Sequence, residues 1–160
     1  MFRKKTLLST IVFGGLFLAA VSLGCDKDDD DDDNEDNYTL SGTANGANER
    51  PNPVTTAGTG NITGNYHLEH NMLEYTITWT GLSGPPTMAH FHGPADVNTA
   101  AGVQVPITLP TGAGTAGTVS GSATLTDAQE ADLLAGMWYY NIHTANFPPG
   151  EIRGQVTAAP

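Results

Sequence analysis

Cysteine and lysine are scarce in this chain, and both absences narrow what the protein can be. One of the 160 residues is a cysteine, Cys25, so no disulfide can form within the chain. After residue 37 there is no lysine, and Arg50 and Arg153 face eight acidic residues, which gives a net charge of −6. Such a surface repels nucleic-acid phosphates, so the sequence excludes a nucleic-acid partner.

Several enzyme motifs are missing as well. The chain has no Gly-x-Ser-x-Gly elbow, no cysteine in the folded part to act as a nucleophile, and no phosphate-binding glycine loop. It also has no convincing pair of carboxylates for glycoside cleavage. The sequence therefore favours a binding function over catalysis.

The N-terminus has the pattern of a secretion signal. Basic residues 3–5 precede an apolar run over 7–23. A retained membrane helix is the alternative, because the run approaches the roughly 20 residues that span a bilayer. Cys25 directly follows this run, in a position that resembles the lipobox of bacterial lipoproteins. We therefore predict a signal peptide over residues 1–24 and a lipid on Cys25 that anchors the protein to a membrane.

An acidic segment follows the cysteine. Residues 26–37 hold nine of the 17 acidic residues of the chain, and a block of like charges cannot bury apolar surface. We predict that 25–37 form a lipidated, disordered tether. Its acidic start resembles the surface-export signal of Bacteroidota lipoproteins, which implies a surface-exposed lipoprotein of the outer membrane. A periplasm-facing lipoprotein is the alternative.

Residues 38–160 have the pattern of an all-β domain. Short runs rich in Thr, Val, Ile and aromatic residues are separated by Gly, Pro and Asn, as in sandwiches and barrels. In residues 72–82 apolar and polar side chains alternate, so one face of that strand is buried. Pro106 predicts an edge strand or a bulge. The sequence thus predicts an antiparallel β-sandwich or barrel.

One short helix interrupts this pattern near residues 127–135. Thr126 followed by Gln129 three positions later is a capping box, which starts a helix. Leu133 and Leu134 supply an apolar side, and Gly136 ends the helix.

Three of the five histidines form the main candidate site. Alternation along a strand puts His90 and His92 on one face and Phe91 on the other. His143 lies on a later strand, and if the two strands meet, three imidazoles converge. Such a set suits copper or zinc. The alternative is that these histidines form hydrogen bonds that join neighbouring strands.

Three further residues are candidates for supporting roles. Glu151 and Arg153 are two positions apart on one strand, and we expect an ion pair between them. The alternative is that Arg153 attracts an anion to the histidine face. Asp96 is a candidate to orient an imidazole, unless it is a solvated loop residue.

Four segments together resemble the CHRD domain: AHFHGPA, GVQVPI, LTDAQEADLLAGMWYYNIHT and PPGEIRGQV. This module is repeated in the secreted antagonist chordin and occurs alone in many exported bacterial proteins. The resemblance implies an extracellular, immunoglobulin-like β-sandwich or barrel over 38–160. We expect a surface-anchored, non-enzymatic binding or adhesion module for an unknown extracellular protein or small ligand. An exported copper- or zinc-binding protein is the alternative.

Overall fold

Eight β-strands and one α-helix make up the part of the chain that the structure, a computed structural model, describes, residues 37–160. The strands are Asn37–Asn45 (β1), Thr59–His67 (β2), Met72–Thr80 (β3), Pro86–His92 (β4), Val103–Pro106 (β5), Gly117–Thr124 (β6), Trp138–Thr144 (β7) and Ile152–Ala159 (β8), and the helix is Asp127–Leu134 (α1). The predicted signal peptide, the lipidated Cys25 and the acidic tether up to residue 36 lie outside the described residues.

All eight strands belong to one antiparallel sheet in the order β5-β4-β7-β8-β1-β2-β3-β6. The sheet curls strongly, because Tyr75 of β3 and Phe91 of β4 touch across the interior with ring centroids 4.9 Å apart. These two strands are far apart in the sheet order, so the contact requires a nearly closed, barrel-like sheet. The predicted all-β antiparallel fold is confirmed.

One hydrophobic core fills the interior of the sheet. Its largest members are aromatic, and Trp138, Tyr66, Tyr140 and Phe91 are all fully buried. Every residue of β7 is buried, on the outward face as well as on the core face. The outward face of β7 is therefore covered by other parts of the chain, and this covered face carries the candidate site.

The local predictions are confirmed where the structure tests them. Pro106 ends β5, an edge strand of the sheet. Thr126 accepts a hydrogen bond from the Gln129 backbone N–H and Gln129 reciprocates, so the capping box forms and α1 follows. Asn71, in the left-handed region at φ 50°, lies in the short turn that joins β2 to β3. Within residues 37–160, no helix has both the length and the hydrophobicity that crossing a membrane requires.

Candidate metal centre

The three histidines come together because β4 and β7 are neighbours in the sheet. His90 pairs with Asn141 and His92 pairs with Tyr139 across the two strands, while His143 lies opposite Met88. Alternation turns Phe91 into the core and the histidines to the outward face. The convergence that the sequence left conditional on this pairing is therefore present.

The cluster is tight. One ring nitrogen from each of His90, His92 and His143 lies within 4.8 Å of the other two. His90 Nδ1 is 3.2 Å from His143 Nε2. His92 and His143 are 8% and 7% exposed, whereas His90 is half-buried, so the cluster opens to solvent on the His90 side.

Two backbone carbonyls fix the tautomers of the inner histidines. His92 Nδ1 lies 3.0 Å from the carbonyl oxygen of Ala101, and His143 Nδ1 lies 2.8 Å from that of Pro148. A carbonyl oxygen only accepts, so each Nδ1 carries the proton and donates. In the neutral rings the lone pair is then on Nε2, which in both histidines faces the cluster.

Asn141 lies between the two Nε2 atoms. Its Oδ1 is 3.0 Å from His92 Nε2 and 3.0 Å from His143 Nε2. With both Nδ1 atoms protonated, the neutral cluster directs three acceptor atoms at one another, and the Nδ1–H group of His90 can satisfy only one of them. A cation bound between these three atoms would be coordinated by their lone pairs, which otherwise repel one another.

The surroundings of the cluster favour neutral imidazoles. Burial is the main cause that lowers the pKa of His90, and the neighbouring His143 and His92 lower it further. The pKa of His92 is lowered mainly by burial as well. Because a metal binds the neutral form, these shifts keep the ligands available.

A layered stack of side chains extends from His92 towards β8. The His92 and Tyr139 rings are parallel within 3°, with centroids 4.8 Å apart. The Arg153 guanidinium carbon lies 3.6 Å from the centre of the Tyr139 ring. Arg153 is 1% exposed and donates to the carbonyl oxygens of Thr99 and Asp96, so its position is fixed.

The ion pair expected between Glu151 and Arg153 does not form. The Glu151 carboxylate instead accepts hydrogen bonds from Thr56, Ser83 and Thr144. That prediction was wrong because both side chains find uncharged partners. Those of Glu151 lie on two loops and at the end of β7, and those of Arg153 include two carbonyl oxygens of the β4–β5 loop. Neither group makes a hydrogen bond to a histidine of the cluster.

Asp96 does not orient an imidazole either. Its exposed carboxylate accepts from Asn98 and Thr99 within its own loop. Carbonyl oxygens of Ala101 and Pro148 occupy the positions in which a carboxylate was expected.

Sequence reasoning did not include Asn141 or Tyr139 among the site residues. Both share a strand face with His143, at two and four positions before it, and this spacing was the available signal. The supporting carbonyls have no side-chain signature and cannot be found in this way.

The fold and the cluster together define a barrel-like β-domain with three histidines on its outward face. Residues 40–156 match the family model of the CHRD domain, which is more than half of the chain, so this chain belongs to the CHRD domain family. Membership suggests a module of the extracellular binding type. Searches of curated proteins and of solved structures gave no match.

Proposed function

We propose that this CHRD domain binds a copper or zinc ion outside the cell through His90, His92 and His143. The observation that carries the proposal is the pair of Nδ1–H groups bound to the Ala101 and Pro148 carbonyls, which turns both Nε2 lone pairs into one space. Metal-binding histidines in proteins are commonly held in this way by a second hydrogen bond.

The distances support a transition-metal ion. A tetrahedral ion with nitrogen ligands at about 2.0–2.1 Å holds its donors about 3.3 Å apart. His90 Nδ1 and His143 Nε2 already lie 3.2 Å apart. All three ring nitrogens lie within 4.8 Å of one another, and His90 is the half-buried member of the cluster. Asn141 Oδ1 supplies a fourth donor.

The donor types favour copper or zinc among the common ions. Imidazole nitrogen suits both, whereas calcium and magnesium require oxygen ligands. The ion would give the binding module a defined ligand. The lipidated Cys25 predicted from the sequence would then hold that site at the outer face of the bacterial membrane.

A purely structural role for the histidines is the competing explanation. Rotation of the Asn141 amide by half a turn would direct its NH₂ group at His92 Nε2 and His143 Nε2. The cluster would then be a closed hydrogen-bond network that joins β4 to β7. Both arrangements use the same atoms, so metal content distinguishes them.

The test uses residues 37–160, which contain the complete sheet and its hydrophobic core and lack Cys25. The protein is dialysed separately against Cu²⁺ and Zn²⁺, washed, and its metal content is measured. We expect one ion per chain in the wild type and loss of that ion in His92→Ala and His143→Ala.

His70→Ala is the matched control, because His70 is exposed and lies far from the cluster in the β2–β3 turn. It should leave the metal content unchanged. A wild type that retains no more metal than His92→Ala would contradict the proposal and support the hydrogen-bond network.

A further inference from the structure

The site proposed above has a property that separates copper from zinc. Resting on that metal site, we propose that its preferred ion is monovalent copper, and that Arg153 sets this preference through the Tyr139 ring.

The first support is the charge of the donor set. His90, His92 and His143 are neutral imidazoles, and Asn141 adds a neutral amide oxygen. Among residues 37–160 the cluster of potential ligands contains no cysteine and no carboxylate. The ligands therefore neutralise none of the charge of a bound ion, although the site is largely buried. The cost of burying a charge rises with its square, so a divalent ion is penalised about four times as heavily as a monovalent one.

The second support is the positive charge behind His92. Arg153 is held over one face of Tyr139, and His92 stacks in parallel on the same ring. His92 pairs with Tyr139 from β4, while Arg153 belongs to β8 on the other side of β7, so the two lie on opposite ring faces. The guanidinium thus repels any cation that His92 binds. This repulsion is twice as large for a divalent ion as for a monovalent one.

Arg153 is not fully compensated by nearby carboxylates. The negative groups whose charges act on it include Glu49 and Asp96. Burial raises the pKa of Glu49 to about 7, so this carboxyl is partly protonated at neutral pH. Asp96 is exposed, and water screens its charge.

The geometry agrees with a monovalent copper ion. The donors include three imidazoles on two adjacent strands, and two of those rings are fixed by backbone carbonyls. A filled d shell imposes no geometry of its own, so a copper(I) ion accepts three nitrogen ligands without a carboxylate. Zinc has the same electronic freedom but twice the charge, so charge is the feature that separates the two ions.

The experiment measures affinities for Cu⁺ and Zn²⁺ on residues 37–160 by competition with chromophoric chelators. The copper arm is run without oxygen and with ascorbate as the reductant. In the wild type we expect Cu⁺ to be bound at least tenfold more tightly than Zn²⁺. Asn141→Asp adds a negative charge at the donor atom, and we expect it to shift the ratio at least tenfold towards Zn²⁺.

A second variant tests Arg153 directly. Arg153→Met removes the charge and keeps a long apolar side chain, and it should shift the ratio in the same direction as Asn141→Asp. Arg50→Met is the matched control, because Arg50 is the only other arginine of the domain and takes no part in the stack. Near-UV circular dichroism identifies variants that have lost their packing.

The outcomes separate the two proposals. A wild type that binds Zn²⁺ more tightly than Cu⁺ would overturn the copper preference and leave the metal site in place. A ratio that neither Asn141→Asp nor Arg153→Met shifts would overturn the role of charge. A protein that binds neither ion would overturn both proposals.

Discussion

Asn141 Oδ1 lies 3.0 Å from His143 Nε2 although the two residues share one strand, and it reaches His92 of the neighbouring strand at the same distance. One amide therefore connects the two most buried imidazoles of the cluster. The position of this amide agrees with the burial of β7 on both faces. The outward side chains of β7 contact the histidines and the loops that cover the sheet.

Metal binding should resist mild acid. Burial lowers the pKa of His90 and of His92 below the usual 6.5, so half-protonation of either ring occurs only at a pH beneath that value. Because protons compete with a metal only once they bind the ligands, protonation of His90 and His92 should leave the affinity for Zn²⁺ nearly constant from pH 8 to pH 7. Chelator competition between pH 5 and pH 8 measures this. An affinity that already declines between pH 8 and pH 7 would contradict the expectation.

Glu49→Gln should stabilise the domain at alkaline pH. Glu49 is 4% exposed, and burial raises its pKa from 4.5 to about 7. The folded protein therefore binds an extra proton between these values, and this stability is present below pH 4.5 and lost as the pH rises through 7. Relative to wild type, the variant should gain on the order of 3 kcal/mol between pH 4.5 and pH 8. Urea unfolding at both pH values measures the difference, and a constant difference would show that the carboxyl does not titrate in this range.

Glu151→Gln should have the opposite effect. Burial opposes ionisation of Glu151, but hydrogen bonds from Thr56, Thr144 and Ser83 outweigh it and lower its pKa. Its contribution is present above the ordinary value of 4.5 and is lost as the pH falls through the lowered pKa. The variant should lose about 2 kcal/mol at pH 7, because charge-assisted hydrogen bonds become neutral ones.

The Glu49→Gln variant serves as the control, because it removes a carboxyl from the same region. The Glu49 carboxyl lies beside Gly150 in space, and Glu151 follows Gly150 in the sequence. Urea unfolding at pH 7 and at pH 3 measures the effect of Glu151→Gln. A loss of stability that grows on acidification would contradict the assigned direction.

Cys25→Ala tests the anchor. If the cysteine carries the lipid, the variant should move from the membrane fraction to the soluble fraction when expressed with its own N-terminus in a bacterial host. Asn34→Ala, in the acidic segment after the cysteine, keeps Cys25 and the residues before it and serves as the control. Persistence of Cys25→Ala in the membrane fraction would instead support a retained helix over residues 7–23.

Local rules predicted most of the fold from the sequence. Alternation placed His90 and His92 on one face, and the spacing of Thr126 and Gln129 gave the start of α1. Such rules act over a few residues, so they need no knowledge of the remainder of the chain.

The remainder of the site depends on long-range geometry. Whether β4 lies beside β7 is decided by the topology of the whole sheet, and strand patterns alone do not specify it. The predicted ion pair between Glu151 and Arg153 was wrong for the same reason, because loops distant in sequence supply hydrogen-bond partners to both side chains. Ala101 and Pro148 contribute only main-chain oxygens, which any residue offers.

The origin of those two oxygens has an evolutionary consequence. The histidines of the cluster belong to strands β4 and β7. The carbonyl oxygens that orient His92 and His143 belong to the β4–β5 and β7–β8 connections. Connections accept insertions and substitutions far more readily than the strands of a closed sheet. Mutations in these two connections can therefore change the orientation of the imidazole rings without disrupting the sheet. Divergence among such modules should be concentrated there, with changes in ligand preference following loop length more closely than strand sequence.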